Sequence, residues 1–271
     1  MNTACVSSGA LLSRYITAVP ALARALFSET VVHRGLRLRI AGPVSVRVSV
    51  LAGNARMCAI FDRYVHQGAT VIDVGANIGV TAAYAARRVG ITGCVHAVEP
   101  APDNLDVLRQ NLRQNRLSQV RVCEVAAGRR RETRQFFLRG DVSAVNSLFP
   151  ESVYAAVTAV NQVDVRPLDD LVEGPADFVK IDVEGAELDV LAGMPRLLAY
   201  PRVHLAVEWH PLLQRAAGYA PDALPRMLLD GGFRVDAVDH LSCRPLTPPA
   251  LAPLAERLLR TRRPVELLAR R

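Results

Sequence analysis

The chain has 271 residues, of which 50% are hydrophobic and 22% are charged, and its formal net charge is +7 at pH 7. This composition excludes a disordered or fibrous protein and leaves one large α/β domain or two small ones. Aromatic residues make up only 5%, so the arginine clusters lack the interleaved aromatics of a nucleic-acid groove. We therefore expect a solvated basic surface and no nucleic-acid partner.

The N-terminal stretch 10–27 is apolar, but Arg14, Pro20 and Arg24 interrupt it. It lacks the charged start and compact apolar centre of a signal peptide, and no stretch is long enough for a transmembrane helix. We predict an amphipathic helix that packs on the protein or on a second copy, which makes this region the candidate interface of a homo-oligomer. The five cysteines are scattered and lack metal-ligand spacing, so a reducing, cytoplasmic location is expected.

The next segment, residues 36–51, alternates apolar and polar residues around a Gly-Pro pair. This alternation predicts a β-hairpin. With the preceding helix, the hairpin would form an N-terminal extension over residues 1–55. The main domain is then predicted over residues 56–271.

Short apolar runs alternate with helical stretches through most of the main domain. The predicted strands are 70–75, 94–100, 119–127, 177–184 and 202–209. This alternation predicts an α/β fold with a mostly parallel central sheet and helices on both faces. Residues 128–168 are less regular, and we interpret them as an insertion rather than a second domain.

The carboxyl ends of the predicted strands carry the functional signal, because ligands bind at that edge of an open parallel sheet. Acidic residues stand at four of these ends: Asp73, Glu99, Asp182 with Glu184, and Glu208. Carboxylates gathered at one edge repel one another unless a cation or several hydrogen-bond donors lie among them. The pattern therefore predicts a ligand site at this edge of the sheet.

A glycine turn at Gly75 and Gly79 follows the first of these strands. The dinucleotide motif G-x-G-x-x-G would need glycines where Asn77 and Val80 stand, so NAD is disfavoured. The turn leads into a helix N-terminus, which favours a carboxylate, and Glu99 can hold both hydroxyls of a ribose. A carboxylate, a ribose and a positive centre near acidic groups together describe S-adenosylmethionine.

Four segments between about residues 56 and 212 carry a family resemblance: VIDVGANIGVTAAYAA, VHAVEPAPDNLDVLRQNLRQN, PLDDLVEGPADFVKIDVEGAELDVLAGM and HLAVEWHP. Together they resemble the FkbM family of S-adenosylmethionine-dependent methyltransferases. The resemblance implies a Rossmann-like class I methyltransferase fold and O-methylation of a hydroxyl on a sugar, glycolipid or polyketide-type product. The residues expected to bind the cofactor are Asp73, Gly75, Ala76, Asn77, Gly79, Glu99, Pro100, Asn104 and Asp182.

A hydroxyl acceptor must lose a proton, so methyl transfer to it needs a base. Enzymes that methylate planar nitrogens carry N-P-P-Y or D-P-P-Y after the fourth strand, whereas this chain has I-D-V-E, which favours a hydroxyl acceptor. The candidate catalytic residues are Asp182, Glu184 and His210. We predict that His210 takes the proton, with a pKa raised by its acidic neighbours, while the two carboxylates position donor and acceptor.

Lys180 is the only lysine of the chain, and it lies in the fourth predicted strand. A compact ammonium fits a narrow buried site, and we predict that it pairs with Glu208 on the adjoining strand. The acidic strand ends show no dedicated metal-ligand spacing, so no metal is expected and activity should not need an added divalent ion. If it did, Asp182, Glu184 or Glu208 would be the candidate ligands.

Three alternatives to this reading stay open. The protein could methylate a different acceptor, it could depend on Mg²⁺, or it could be a non-catalytic binding module that keeps the methyltransferase fold. Titration with S-adenosylmethionine separates the last alternative from the others, because a degenerate module should not bind it.

Overall fold

The structure, a computed structural model, describes residues 29–41, 44–139, 145–150, 155–238 and 243–271. The helix predicted within residues 10–27, and with it the candidate interface of a homo-oligomer, lies outside these ranges. The strands are β1 (Thr30–His33), β2 (Leu36–Arg39), β3 (Thr70–Val74), β4 (Cys94–Val98), β5 (Val120–Cys123), β6 (Ala126–Ala127), β7 (Glu132–Leu138), β8 (Ala159–Arg166), β9 (Phe178–Ile181), β10 (His204–Trp209), β11 (Arg234–Val238), β12 (Cys243–Pro245) and β13 (Val265–Arg270). The helices are α1 (Val44–Tyr64), α2 (Val80–Val89), α3 (Pro102–Gln114), α4 (Leu168–Leu171), α5 (Glu187–Ala192), α6 (Pro195–Leu198), α7 (Pro211–Ala216), α8 (Ala223–Asp230) and α9 (Pro248–Thr261).

The central sheet has eight strands in the order β12-β11-β13-β10-β9-β3-β4-β5. Neighbours from β10 to β5 run parallel, whereas β13 lies antiparallel between β10 and β11. The chain builds outward from β3 on one side and from β9 on the other, which places the topological switch point between these two strands. Buried apolar clusters lie on both faces of the sheet. The predicted α/β fold with a mostly parallel sheet is confirmed.

The region between β5 and β9 carries a second, three-stranded sheet in the order β6-β8-β7. It is an insertion into the main fold, as the sequence predicted. The single strand predicted over 119–127 is divided, because β5 belongs to the central sheet whereas β6 pairs with β8 of the insertion. The chain changes sheets at this point.

The β-hairpin predicted over residues 36–51 is wrong in its position. The observed hairpin joins β1 to β2 through a turn at Gly35, and the alternating valines that follow belong to helix α1. The C-terminal half of α1 buries Met57, Ile60 and Phe61, which share one helical face and pack in the core. Tertiary packing therefore outweighs the strand preference of the valine-rich segment.

Helix α1 also crosses the predicted domain boundary at residues 55 and 56. Within the described ranges, no helix is both long enough and apolar enough to cross a membrane. Cys58, Cys94, Cys123 and Cys243 are free thiols.

Candidate active site

The turn at Gly75 is fixed by close contact between neighbouring strand ends. Gly75 has a φ of 75°, and a Cβ atom at this position would lie 1.9 Å from the carbonyl oxygen of Asp182. The backbone N–H groups of Gly75 and Ala76 donate to the carbonyl oxygen of Val98 at 3.0 and 3.1 Å. The turn therefore sets the relative positions of the ends of β3, β4 and β9.

A buried ion pair supports the turn from below. Asp73 is fully buried; its Oδ2 accepts a hydrogen bond from the Thr81 hydroxyl at 2.6 Å, and its Oδ1 lies 3.1 Å from Lys180 Nζ. Lys180 Nζ also lies 3.5 Å from Asp182 Oδ2 and donates to the Gly75 carbonyl at 3.2 Å. Burial would lower the pKa of Lys180, but the two carboxylates outweigh it and raise that pKa.

These contacts correct the partner predicted for Lys180. Lys180 stands directly opposite Asp73 in the parallel pair of β9 and β3, whereas on the other side it faces Ala206. Glu208 lies two residues farther along β10, so the carboxylates within salt-bridge distance belong to Asp73 and Asp182. Asp73 contacts Lys180 and Thr81 beneath the glycine turn and does not line the cavity described next.

A cavity, here called the rim cavity, opens at the carboxyl ends of β3, β4 and β9. Six of the nine predicted cofactor residues line it: Gly75, Asn77, Glu99, Pro100, Asn104 and Asp182. Ala76 lines a neighbouring cavity on the side of α1, which shares Gly75, Asn77 and Asp182 with the first. The structure thus brings most of the predicted set together at one edge of the sheet.

Glu99 is held rigidly at the wall of the rim cavity. Its Oε1 accepts hydrogen bonds from the Ala101 N–H at 2.9 Å and from Asn104 Nδ2 at 3.1 Å, and its Oε2 accepts one from the Asn77 N–H at 2.9 Å. Burial raises the pKa of Glu99, and these donors oppose the rise. A carboxylate can accept about four hydrogen bonds. The second oxygen therefore keeps capacity for a ligand hydroxyl.

The insertion supplies part of the cavity wall that the sequence did not predict. Phe136 and Leu148 line the rim cavity from the insertion side. The chain around them is held by Arg139, which is 1% exposed and donates to four backbone carbonyls, and by the Ser147 hydroxyl, which donates to the Glu184 carbonyl at 2.7 Å. The burial of Arg139 would have marked this segment, but burial cannot be read from a single sequence.

Carboxylates from the segment after β9 and from β10 converge beside the rim cavity. Asp182, Glu184 and Glu208 each place one carboxylate oxygen within 4.8 Å of the others. Glu266 of β13 stands directly opposite Glu208 in the antiparallel pair. We call these four residues the acid cluster. Sequence analysis placed the first three at strand ends but missed the fourth.

Burial is the main cause of the perturbed pKa values in the acid cluster. It raises the pKa of Glu184 and of Glu208 well above the usual value, and the charge of Asp182 raises both further. Burial also raises the pKa of Glu266 to about 8. The protein alone therefore leaves these negative charges poorly compensated.

His210 lies apart from both cavities, at the start of α7. The residue is 2% exposed, and burial lowers its pKa. The expected upward shift by acidic neighbours is therefore wrong. Its assignment as the catalytic base stays a prediction, and one that requires a buried imidazole to reach the acceptor.

Comparison with protein-family models identifies the family of this chain. The model described as the methyltransferase FkbM domain matches residues 73–235. The chain belongs to the FkbM methyltransferase family. Its Rossmann-like class I methyltransferase fold, predicted from the four sequence segments, is confirmed by the parallel sheet with β13 inserted antiparallel.

The individual proteins that this FkbM-family chain resembles share only low sequence identity with it. It is 27% identical over 144 residues to "Methyltransferase 1" of Beauveria bassiana (strain ARSEF 2860). The alignment covers 46% of this chain and 57% of that protein. The crystal structure of methyltransferase FkbM from Methylobacillus flagellatus KT is 20% identical, with 96% of this chain and 60% of that chain covered and a TM-score of 0.45. Aeropyrum pernix fibrillarin in complex with S-adenosyl-L-methionine is 17% identical, with 80% and 73% covered and a TM-score of 0.45.

Proposed function

We propose that this FkbM-family protein is an S-adenosylmethionine-dependent O-methyltransferase that acts on a hydroxyl of a sugar, glycolipid or polyketide-type product. The observation that carries the proposal is the rim cavity, which is lined by Glu99 together with Asp182 and Glu184. One cavity thus joins a candidate ribose ligand to two candidate groups for the acceptor.

The residues of the rim cavity fit the cofactor. Its lining combines apolar side chains with a few polar groups, as the lining of a small-molecule site does. Val98, Phe136 and Leu148 offer an apolar wall for the adenine ring, and Glu99 and Asn104 offer polar groups for the ribose. S-adenosylmethionine would supply a methyl group already activated on a sulfonium.

The contribution of the protein to the transfer is then alignment and proton removal. As the acceptor oxygen bonds to the methyl carbon, the carbon–sulfur bond breaks with its electron pair left on sulfur, and the hydroxyl proton must pass to a base. Asp182 and Glu184 line the cavity and carry carboxylate oxygens that can accept it. The buried position of His210 favours these two carboxylates over the imidazole.

Replacement of Glu99 by alanine should weaken S-adenosylmethionine binding by about 1.5–3 kcal/mol, the range for hydrogen bonds to a charged group. Isothermal titration calorimetry measures this difference directly. The exposed carboxylate of Glu124, which pairs with Arg109 at the neighbouring strand end, provides the matched control Glu124→Ala. Because Glu99 also holds the backbone of Asn77 and Ala101, the melting temperature of both variants must be measured alongside. Unchanged affinity in Glu99→Ala would remove the ribose assignment, and a parent protein that binds no cofactor would favour a non-catalytic module.

Turnover of shape-preserving variants distinguishes the candidate bases. We expect either Asp182→Asn or Glu184→Gln to lower kcat by at least ~100-fold, the lower range for general-base catalysis. His210→Ala should stay within about threefold of the parent protein at saturating cofactor. Hydroxylated sugars, glycolipids and macrolides with a radiolabelled methyl donor supply the acceptor screen. A large loss in His210→Ala, with both carboxylate variants active, would restore the histidine as the base.

A further inference from the structure

We propose that the acid cluster binds one hard divalent cation, of the class of Mg²⁺, Mn²⁺ or Ca²⁺, beside the rim cavity. The ligands would be the carboxylates of Asp182, Glu184 and Glu208, with Glu266 as a fourth negative group behind them. Sequence analysis predicted no metal here, because the acidic strand ends show no dedicated ligand spacing.

The spacing of the carboxylates suits a single ion. Their three ligand oxygens all lie within 4.8 Å of one another. Two ligands on opposite sides of one ion are separated by twice the metal–oxygen distance, which is about 4.1 Å for Mg²⁺ and about 4.6–5.2 Å for Ca²⁺. One ion can therefore contact all three oxygens with small side-chain adjustments, and carboxylates are the ligands that hard cations prefer.

A second observation, independent of that spacing, comes from Glu266. Within the described part of the chain, Glu266 Oε1 is buried and accepts no hydrogen bond, and the same holds for Glu184 Oε2. Glu266 also stands directly opposite Glu208, where two ionised carboxylates would repel each other unless a cation lay beside them. Buried carboxylate oxygens without a partner are costly, so these atoms point to a positively charged ligand.

The neighbouring cations do not balance the cluster. Lys180, Arg56 and Arg139 are the basic groups of the described residues whose charges act on it. Lys180 is shared with Asp73, and the Arg139 guanidinium is engaged by four backbone carbonyls. Lys180 and Arg139 are thus shared with groups outside the cluster, which leaves its carboxylates incompletely neutralised when they ionise.

The position of the cluster suggests what the ion would do. Asp182 and Glu184 line the rim cavity, so an ion held between them could take an acceptor hydroxyl as a further ligand. A bound divalent cation lowers the pKa of a coordinated oxygen–hydrogen group, which would favour its deprotonation. This use of the ion rests on the proposed methyltransferase function, whereas its binding does not.

Titration of EDTA-treated protein with Mn²⁺ alone, followed by electron paramagnetic resonance, tests the site. We expect one bound Mn²⁺ per chain, displaced by Mg²⁺ or Ca²⁺. Glu208→Gln and Glu266→Gln should each weaken Mn²⁺ binding at least ~10-fold, because each removes a charge from the site. Glu256→Gln, an exposed position on α9, should bind Mn²⁺ as the parent does.

Thermal unfolding distinguishes a variant that has lost a metal ligand from one that binds no Mn²⁺ because it is misfolded. Both cluster variants relieve repulsion, so without metal they should melt no lower than the parent. Added Mn²⁺ should raise the melting temperature of the parent and of Glu256→Gln more than that of either cluster variant. The proposal is overturned if the parent binds no Mn²⁺ at mildly alkaline pH, or if the cluster variants bind it as tightly as Glu256→Gln. Since no cofactor is present, failure here leaves the calorimetric test of cofactor binding untouched.

Discussion

Replacement of Lys180 by methionine should destabilise the protein by about 3–5 kcal/mol, because removing one member of a buried ion pair leaves the other charge without compensation. Lys180 is 5% exposed and Asp73 is fully buried, so neither group can turn to water. The lost ammonium would also leave the Gly75 carbonyl without its donor. Urea unfolding gives the free energy, and the only tryptophan, the buried Trp209, is a suitable fluorescence probe.

Two comparisons make this result specific to the ion pair. The double variant Asp73→Asn/Lys180→Met should recover part of the lost stability, since it removes the uncompensated carboxylate. Arg130→Met, which breaks the exposed pair with Glu132, should change stability by at most about 1 kcal/mol. A loss below about 1 kcal/mol in Lys180→Met would show that the pair is not what holds the turn.

The substitution Gly75→Ala should destabilise the protein by at least about 3 kcal/mol, which places it among the severe single changes. The added Cβ would lie 1.9 Å from the Asp182 carbonyl oxygen, a backbone atom that cannot move without shifting β9. The φ of 75° adds the ordinary strain of a left-handed conformation. Urea unfolding followed by circular dichroism measures the effect.

A second glycine provides the matched control for this substitution. Gly53 lies exposed within α1, and an added Cβ there would meet no atom within 4 Å. Gly53→Ala should therefore stabilise the protein by about 0.5–1 kcal/mol, since alanine is the better helix former. Equal stability of Gly75→Ala and the parent protein would contradict the close contact between β3 and β9.

The parallel half of the sheet could be predicted because its signal is local. Each of β3, β4, β9 and β10 is a short, nearly continuous apolar run, and the carboxyl ends of parallel strands must meet at one edge. That rule alone placed Gly75, Glu99, Asp182 and Glu184 together at the rim cavity. The glycine turn was readable for the same reason, since a sharp turn into a helix needs residues without a side chain.

The remaining features depend on contacts between distant parts of the chain. The valines of α1 have strand preference, and only the packing of Phe61 and its neighbours in the core decides for a helix. The partner of Lys180 depends on the register of β9 against β3. Glu266 was missed because nothing in its surroundings shows that β13 inserts beside β10. Such pairings are set by tertiary structure rather than by residue pattern.

Strand β13 follows β10, β11 and β12 in the chain, yet it lies between β10 and β11 in the sheet. During synthesis, the parallel half from β5 to β10 can assemble first, while β10 presents an unpaired edge to other chains. Strands β11 and β12 have no place to join until β13 has been made, and the fourth carboxylate of the acid cluster arrives with it. The nascent protein is therefore expected to be most prone to aggregation just before β13 emerges from the ribosome, when its longest apolar edge is still open.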